Sequence, residues 1–313
     1  MTSPAMQIKR QEGVVLLAFF AILFMAGAGV LISVLDSNAV AQRRSNNTSM
    51  ALREAKESLI AYATLYAEYY SATNPGPGYL PCPDSNNDGS ENSPCAANSL
   101  GRLPQSITLP NGNFFALSNY NANIDEQFWY SVADNFRRSP LGVLNSSTIS
   151  GTTLDGQGRI AAVIIAPGPA NATQSRPSNA SSRYLEDSNT TAPSFVSSAA
   201  VNPDMFNDRV LAITIDEIMG PITRQVANLL KTELDAYRAA NLTYPADIDF
   251  TPANIVVAEA WFNANNWFAN ANYAQVSSNE ATLTFTNCPN ISYTVLYNPP
   301  NTPDDLRRTG LRC

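Results

Sequence analysis

From Val14 to Leu35 the chain reads VVLLAFFAILFMAGAGVLISVL, with one serine and no charge. As a helix rising about 1.5 Å per residue, this run reaches roughly 33 Å, enough to cross a bilayer. Further on the pattern narrows to a stripe. Leu52, Ala55, Leu59, Tyr62, Ala63 and Tyr66 recur at steps of three and four, while Arg53, Glu54, Lys56 and Glu57 fall on other faces. That spacing predicts an amphipathic helix over 50–71. Between the two, the polar QRRSNNTS of residues 42–49 reads as a loosened stretch of the same helix. Asn74-Pro75-Gly76-Pro77-Gly78 ends it.

Past this breaker the pattern alternates between helix and strand. DEQFWYSVADNFRR, 125–138, places Phe128, Trp129, Val132 and Phe136 as a short amphipathic helix or a strand leading into one. RIAAVIIAP, 159–167, is a compact Val/Ile-rich run and reads as a buried strand. Residues 168–200 are crowded with Ser, Asn, Ala, Thr and Pro without periodicity, the composition of a long exposed loop. RVLAIT, 209–214, is a further strand. A helix then opens near Gly220-Pro221 and carries Ile222, Val226, Leu229, Leu230, Leu234 and Tyr237 on one face. Trp261, Phe262, Trp267 and Phe268 stand among asparagines, either as core anchors of a small lobe or as a contact surface for carbohydrate or protein. Ala281–Thr286 and Ile291–Tyr297 alternate as two strands joined across Asn287-Cys288-Pro289-Asn290. The sum is an α+β fold, with a long N-terminal helix and a globular α/β head. Its segments are 1–13, the apolar helix 14–36, the amphipathic helix 37–75 and the head 76–313.

Composition removes several function classes. The 313 residues are 44% hydrophobic, 14% charged and carry a formal charge of −7. With no basic stripe, nucleic acid is excluded as the main partner. The chain has no histidine, which rules out Ser-His-Asp and Cys-His catalysis and every histidine-ligated metal site. Catalysis would have to rest on paired carboxylates of the glycosidase kind. The candidates are Asp204 with Asp208, Asp216 with Glu217, and Asp247 with Asp249, and spacing alone gives them no shared cleft. Solvated acidic positions explain them more simply, and the chain reads as non-enzymatic.

Four cysteines, Cys82, Cys95, Cys288 and Cys313, allow three pairings. The local one, Cys82–Cys95 with Cys288–Cys313, closes two short loops and is the pairing expected, in an oxidising compartment. Inside the first loop, Asp84, Asn86, Asp88 and Gly89 match the opening D-x-[DN]-x-[DN]-G of a calcium loop, and Glu91 or Asn92 could add oxygens. The pattern then departs from an EF-hand: its twelfth position is Cys95, where the bidentate Glu should stand. A calcium site built on Asp84, Asn86, Asp88 and Glu91 and a metal-free surface turn pinned by the disulfide are both open.

The N-terminus carries the most specific signal. Lys9 and Arg10 precede Glu12 and Gly13, and the apolar run begins at once. The basic side of the run faces the cytoplasm by the positive-inside rule, which sends the rest of the chain outside. A secretory signal cleaved after Ala39-Val40-Ala41 competes with this reading, although the run exceeds an ordinary signal core. An uncleaved anchor also fits. A Gly set between the basic leader and the apolar run resembles the leader of type IV prepilins. That resemblance implies cleavage by prepilin peptidase after Gly13, leaving Val14 as the first mature residue. It covers about residues 9–100 and 205–240. Two further stretches are similar to bacterial pilin-like proteins: GYLPCPDSNNDGSENSPC, 78–95, and DRVLAITIDEIMGPITRQVANLL, 208–230. The family's usual Glu at the fifth mature position is Ala18 here, a departure shared with the tip-located minor pseudopilin of type II secretion. Calcium sites also occur in pseudopilins.

The resemblance implies a pilin-like subunit of a type IV pilus or type II secretion pseudopilus. It would cross the inner membrane once with its head in the periplasm, and its partners would be other pilins or pseudopilins. After assembly it would lie in a pilus at the cell surface. The rivals are a tethered periplasmic binding protein that never enters a filament, and an anchored glycan hydrolase.

Overall fold

The computed structural model describes residues 12–70, 73, 75–117, 127–198, 206–297, 306–310 and 313, and within its first helix the side chains of 12–39 and 41 lie outside the description. The chain divides into two units, Met1–Met50 and Ala51–Cys313.

Helix α1 runs Glu12–Tyr69, 58 residues. The polar stretch 42–49 is not loosened. Thr48 and Ser49 donate their hydroxyls to the carbonyls of Arg44 and Ser45, at 3.0 Å each, so groups that can compete with a helix are absorbed by it. Among the described residues no helix is long and apolar enough to cross a membrane. The run 14–35, on which the membrane expectation rests, lies in the part of α1 whose side chains are outside the description. In the second unit the stripe Leu52, Ala55, Leu59, Tyr62, Ala63 and Tyr66 is buried. Lys56 is not on a solvated face: its Nζ donates to Ala212 O at 2.8 Å and lies 2.7 Å from Glu217 Oε1.

After the helix the chain doubles back, and Gly78 donates its N–H to Ala63 O at 2.7 Å. Gly78 has φ +111, and a Cβ there would stand 2.1 Å from Leu144 Cδ2, so only glycine fits. Strand β1 (Leu100–Arg102) and a hairpin of β2 (Ser106–Thr108) and β3 (Phe114–Ala116) follow. Next come β4 (Trp129–Val132), β5 (Thr153–Leu154), β6 (Ile160–Ala166), β7 (Ser194–Phe195) and β8 (Arg209–Thr214). Within 125–138, β4 is followed by a 3-10 turn at Asp134–Phe136, and residues 118–126 lie outside the description. An antiparallel sheet forms in the order β1-β4-β6-β8.

Strand β6 decides what surrounds this sheet. All seven of its residues are apolar and buried, and such a strand needs cover on both faces. On one face Ala162, Ile164 and Ala166 join the helices in the main core. On the other, Val163 and Ile165 meet Trp129, Tyr184, Leu185 and Phe195. The second cover comes from the segment expected to be an exposed loop, 168–200. Over its described part it has short 3-10 turns at Ser181–Arg183 and Asp187–Thr190, and β7 pairs in parallel with β5. Its many small polar residues hide three apolar side chains that close the core over β6.

Helix α2 (Ile215–Asn241) begins earlier than Gly220-Pro221, and Pro221 lies inside it. Thr214 and Glu217 form a capping box that satisfies the first amides, which fixes the start. The helix ends on Leu242, which is left-handed at φ 65 and 75% exposed. A side chain with a Cβ is strained there, so Leu242→Gly is expected to raise stability by about 0.5–1 kcal/mol. A denaturant midpoint that fails to rise would mean that the leucine makes a contact worth as much.

Helix α3 (Ala260–Ala264) leads into β9 (Ala271–Ser277), β10 (Glu280–Phe285), β11 (Cys288–Leu296) and β12 (Leu306–Thr309), an antiparallel sheet ordered β12-β11-β10-β9. The β10–β11 turn is Thr286-Asn287, with Asn287 at φ 59, so Cys288 stands in β11 and not in the turn. Trp261, Phe262 and Trp267 are buried as core anchors. Phe268 stacks on Phe250 at 4.6 Å, and Phe250 on Tyr273 at 4.4 Å.

Candidate functional site

The loop singled out by its acidic residues is closed by the Cys82–Cys95 disulfide, and Cys288 is joined to Cys313. Asp84 is buried at its base. Its Oδ1 accepts from the amides of Asn86 (3.2 Å) and Asn87 (2.7 Å), and its Oδ2 from Gly89 (2.8 Å). Asp88 accepts from the Ser90 amide at 2.8 Å and from Asn86 Nδ2 at 2.9 Å. Asn92 Oδ1 draws in the Ser85 amide at 2.6 Å and its hydroxyl at 3.0 Å. The backbone of Asp84 also exchanges hydrogen bonds with Arg102 in β1. Short carboxylate and amide side chains thus bond the turn's own backbone, the role in which Asp and Asn form turns without an ion.

Glu91 faces another way. Its carboxylate pairs with Arg138 Nη2 at 2.8 Å and accepts the Cys82 amide at 3.1 Å. Burial pushes the Glu91 carboxyl up, while Arg138 and the Cys82 amide pull it back. Of the four residues expected around calcium, Asp84, Asn86 and Asp88 share the turn and Glu91 is committed elsewhere. Among the described residues, no group of three or more His, Cys, Asp or Glu side chains could hold a metal ion. The thermal midpoint is expected to agree within about 1 °C in calcium and in EDTA, because a ligand stabilises only what it binds. A calcium-dependent rise of several degrees would return Asp84, Asn86 and Asp88 to the role of ligands.

Arg138 connects this loop to α1. Its Nη1 donates to the Tyr70 hydroxyl, its guanidinium lies 5.1 Å from the Tyr70 ring centroid, and Tyr62 Oη donates to Tyr70 Oη at 3.3 Å. Around them Tyr62 meets Tyr66 at 5.6 Å and Phe115 at 5.4 Å, Tyr66 stacks on Tyr70 at 4.3 Å, and Tyr66 reaches Tyr79 at 5.4 Å. One more hub lies nearby. Buried Asn265 accepts from Leu144 N at 2.8 Å and donates to Pro75 O and Trp261 O at 3.0 Å each. Sequence reading marked neither Arg138 nor Asn265 as a hub, since their partners are distant along the chain. The arrangement fixes the C-terminal part of α1 to the disulfide loop and to the 260s, and its chemistry is adhesion within the molecule.

Three of the carboxylates weighed as candidates for catalysis are engaged. Asp216 pairs with Arg159, Glu217 pairs with Lys56, and Asp247 Oδ1 accepts the Gln275 amide. Asp249 lies in a 3-10 turn, Asp247–Asp249, and Asp204 is outside the described residues. Asp208 is buried beside Glu186, a neighbour that sequence reading did not suggest. At the other end, Gly13 and Val14 stand in the first turn of α1, and residues 1–11 lie outside the described part.

Comparisons with protein-family models, with curated proteins and with solved structures give no match to this chain.

Proposed function

We propose that this chain is a non-enzymatic minor pilin or pseudopilin, with its N-terminal helix anchored in the inner membrane and its head outside the cytoplasm. The observation that supports the reading is helix α1 itself. One uninterrupted helix, Glu12–Tyr69, carries both the apolar run and the stripe buried in the second unit. In this reading prepilin peptidase cuts after Gly13, and the helix waits in the bilayer. It is then withdrawn into a bundle with the helices of other subunits of a type IV pilus or type II secretion pseudopilus, where Gly27, Ala28 and Gly29 permit close approach. Ala18 suits a subunit that has no neighbour above it, since an unpaired carboxylate within the bilayer is costly. The tyrosine cluster and the Arg138–Glu91 pair would carry the position of the helix into the head.

The N-terminal residue of the protein extracted from native membranes tests this reading. A mature chain beginning at Val14, recovered in sheared filaments, is the expected result. A start at Gln42 would mean an ordinary secreted protein, and an intact Met1 a simple anchor, and either would overturn the proposal. A start at Val14 in a protein never recovered with filaments would favour a tethered binding protein.

A further inference from the structure

Two acidic residues 22 positions apart in sequence exchange hydrogen bonds where the segment that covers β6 meets the start of β8. Glu186 donates its amide to Asp208 Oδ2 at 3.0 Å, and Asp208 donates its amide to Glu186 Oε2 at 3.2 Å. The exchange clips the 168–198 segment to the start of β8. Asp208 is 5% exposed. Among the described residues neither carboxyl group has an ion pair.

The donors are divided unequally. Glu186 accepts from Gln174 Nε2 at 2.9 Å on one oxygen, and from the amides of Asn207 (3.4 Å) and Asp208 (3.2 Å) on the other. Asp208 Oδ2 accepts from the Glu186 amide and from Asn189 Nδ2, each at 3.0 Å, whereas its buried Oδ1 has no hydrogen-bond donor among the described residues. An acid proton belongs on the carboxyl oxygen that lacks a donor. Among the described residues the charged groups around the pair are few. Arg176 approaches through Gln174, whose Oε1 it holds at 2.7 Å. Asp187 and Arg209 are the chain neighbours, and Arg183 points toward Thr173 O at 3.4 Å.

We infer that Asp208 holds an acid proton on Oδ1 while it is clipped to Glu186, and that this proton makes the contact a pH-operated fastener for the 168–198 segment. Burial, and then the Glu186 carboxyl, push Asp208 up to about 8. Opening the contact returns Asp208 to water, where it titrates near 4. Between those values the closed form holds one proton more than the open form. The closed form's advantage is therefore complete below the lower value, shrinks about tenfold per pH unit as pH rises, and levels off above about 8. Opening releases Asp208's proton to solvent and uncovers Tyr184, Leu185 and Phe195, which close the core over β6.

Hydrogen exchange of the full chain in detergent, corrected for the intrinsic pH dependence of exchange, reads the fastener directly. Protection of amides in 184–198 is expected to fall about a hundredfold or more between pH 5.5 and 8, while protection in β10 and β11 changes little. Asp208→Asn places a permanent donor where the acid proton sits, and should keep the segment protected across that range. Equal protection of the wild-type segment at both pH values, or an undiminished fall in D208N, would overturn the inference. Should D208N fail to fold, the carboxyl carbon shift of Asp208 in the wild-type chain decides. Titration near 8 supports the fastener, and titration near 4 removes it.

Discussion

Glu91→Ala is expected to lower the stability of the second unit by about 2–4 kcal/mol, because it leaves a half-buried guanidinium without its carboxylate. The side chains of Arg138 and Glu91 are only 18% and 7% exposed, so water replaces the lost carboxylate only in part. The substitution also strips the Cys82 amide of its acceptor, beside the disulfide. Glu91→Gln keeps an oxygen for Arg138 and should lose less. The double variant Glu91→Leu with Arg138→Met removes both charges and should recover much of the loss, since paired buried charges often add little over apolar side chains of similar size. Denaturant unfolding of the full chain in detergent gives all three values. A loss below about 1 kcal/mol for Glu91→Ala would be that of an exposed ion pair and would mean that water reaches the site.

Tyr62→Ala should have an effect of the same order, about 3–5 kcal/mol, through a cavity between α1 and the β2–β3 hairpin. Tyr62 is fully buried, packs edge-on to Tyr66 and Phe115, and lies parallel to Tyr69 at 6.3 Å. Tyr62→Phe keeps the ring and loses only the hydroxyl bond to Tyr70, so about 1 kcal/mol should suffice for it. The contrast separates ring packing from hydrogen bonding. Equal losses for the two variants would place the energy in the hydroxyl and contradict the packing argument.

The elements whose partners lie close in sequence were the readable ones. The stripe from Leu52 to Tyr66 repeats at the helical period, and a helix with that face buried is what the chain forms. RIAAVIIAP and RVLAIT became β6 and β8 because short Val/Ile-rich runs have few other uses. The start of α2 was also written locally, as Thr214-Ile215-Asp216-Glu217, but the Gly-Pro pair downstream was the louder signal and the less informative one. The acidic turn illustrates the limit. Its spacing announces oxygen atoms on a tight turn, and a turn that bonds its own amides has the same spacing as one that holds an ion.

What the sequence alone determined is the long N-terminal helix, its change from an apolar run to a stripe, the absence of histidine chemistry and the α+β alternation behind it. Each follows from neighbours within a few residues or from composition. Tertiary structure decided where the charges and the odd apolar residues went. Lys56 turned inward to Glu217, Glu91 left the acidic turn for Arg138, and Asp208 met Glu186. Tyr184, Leu185 and Phe195 became the second cover of β6. A strand apolar on both faces requires such a cover, but which distant segment supplies it depends on how the chain returns, and that return is set by the whole fold.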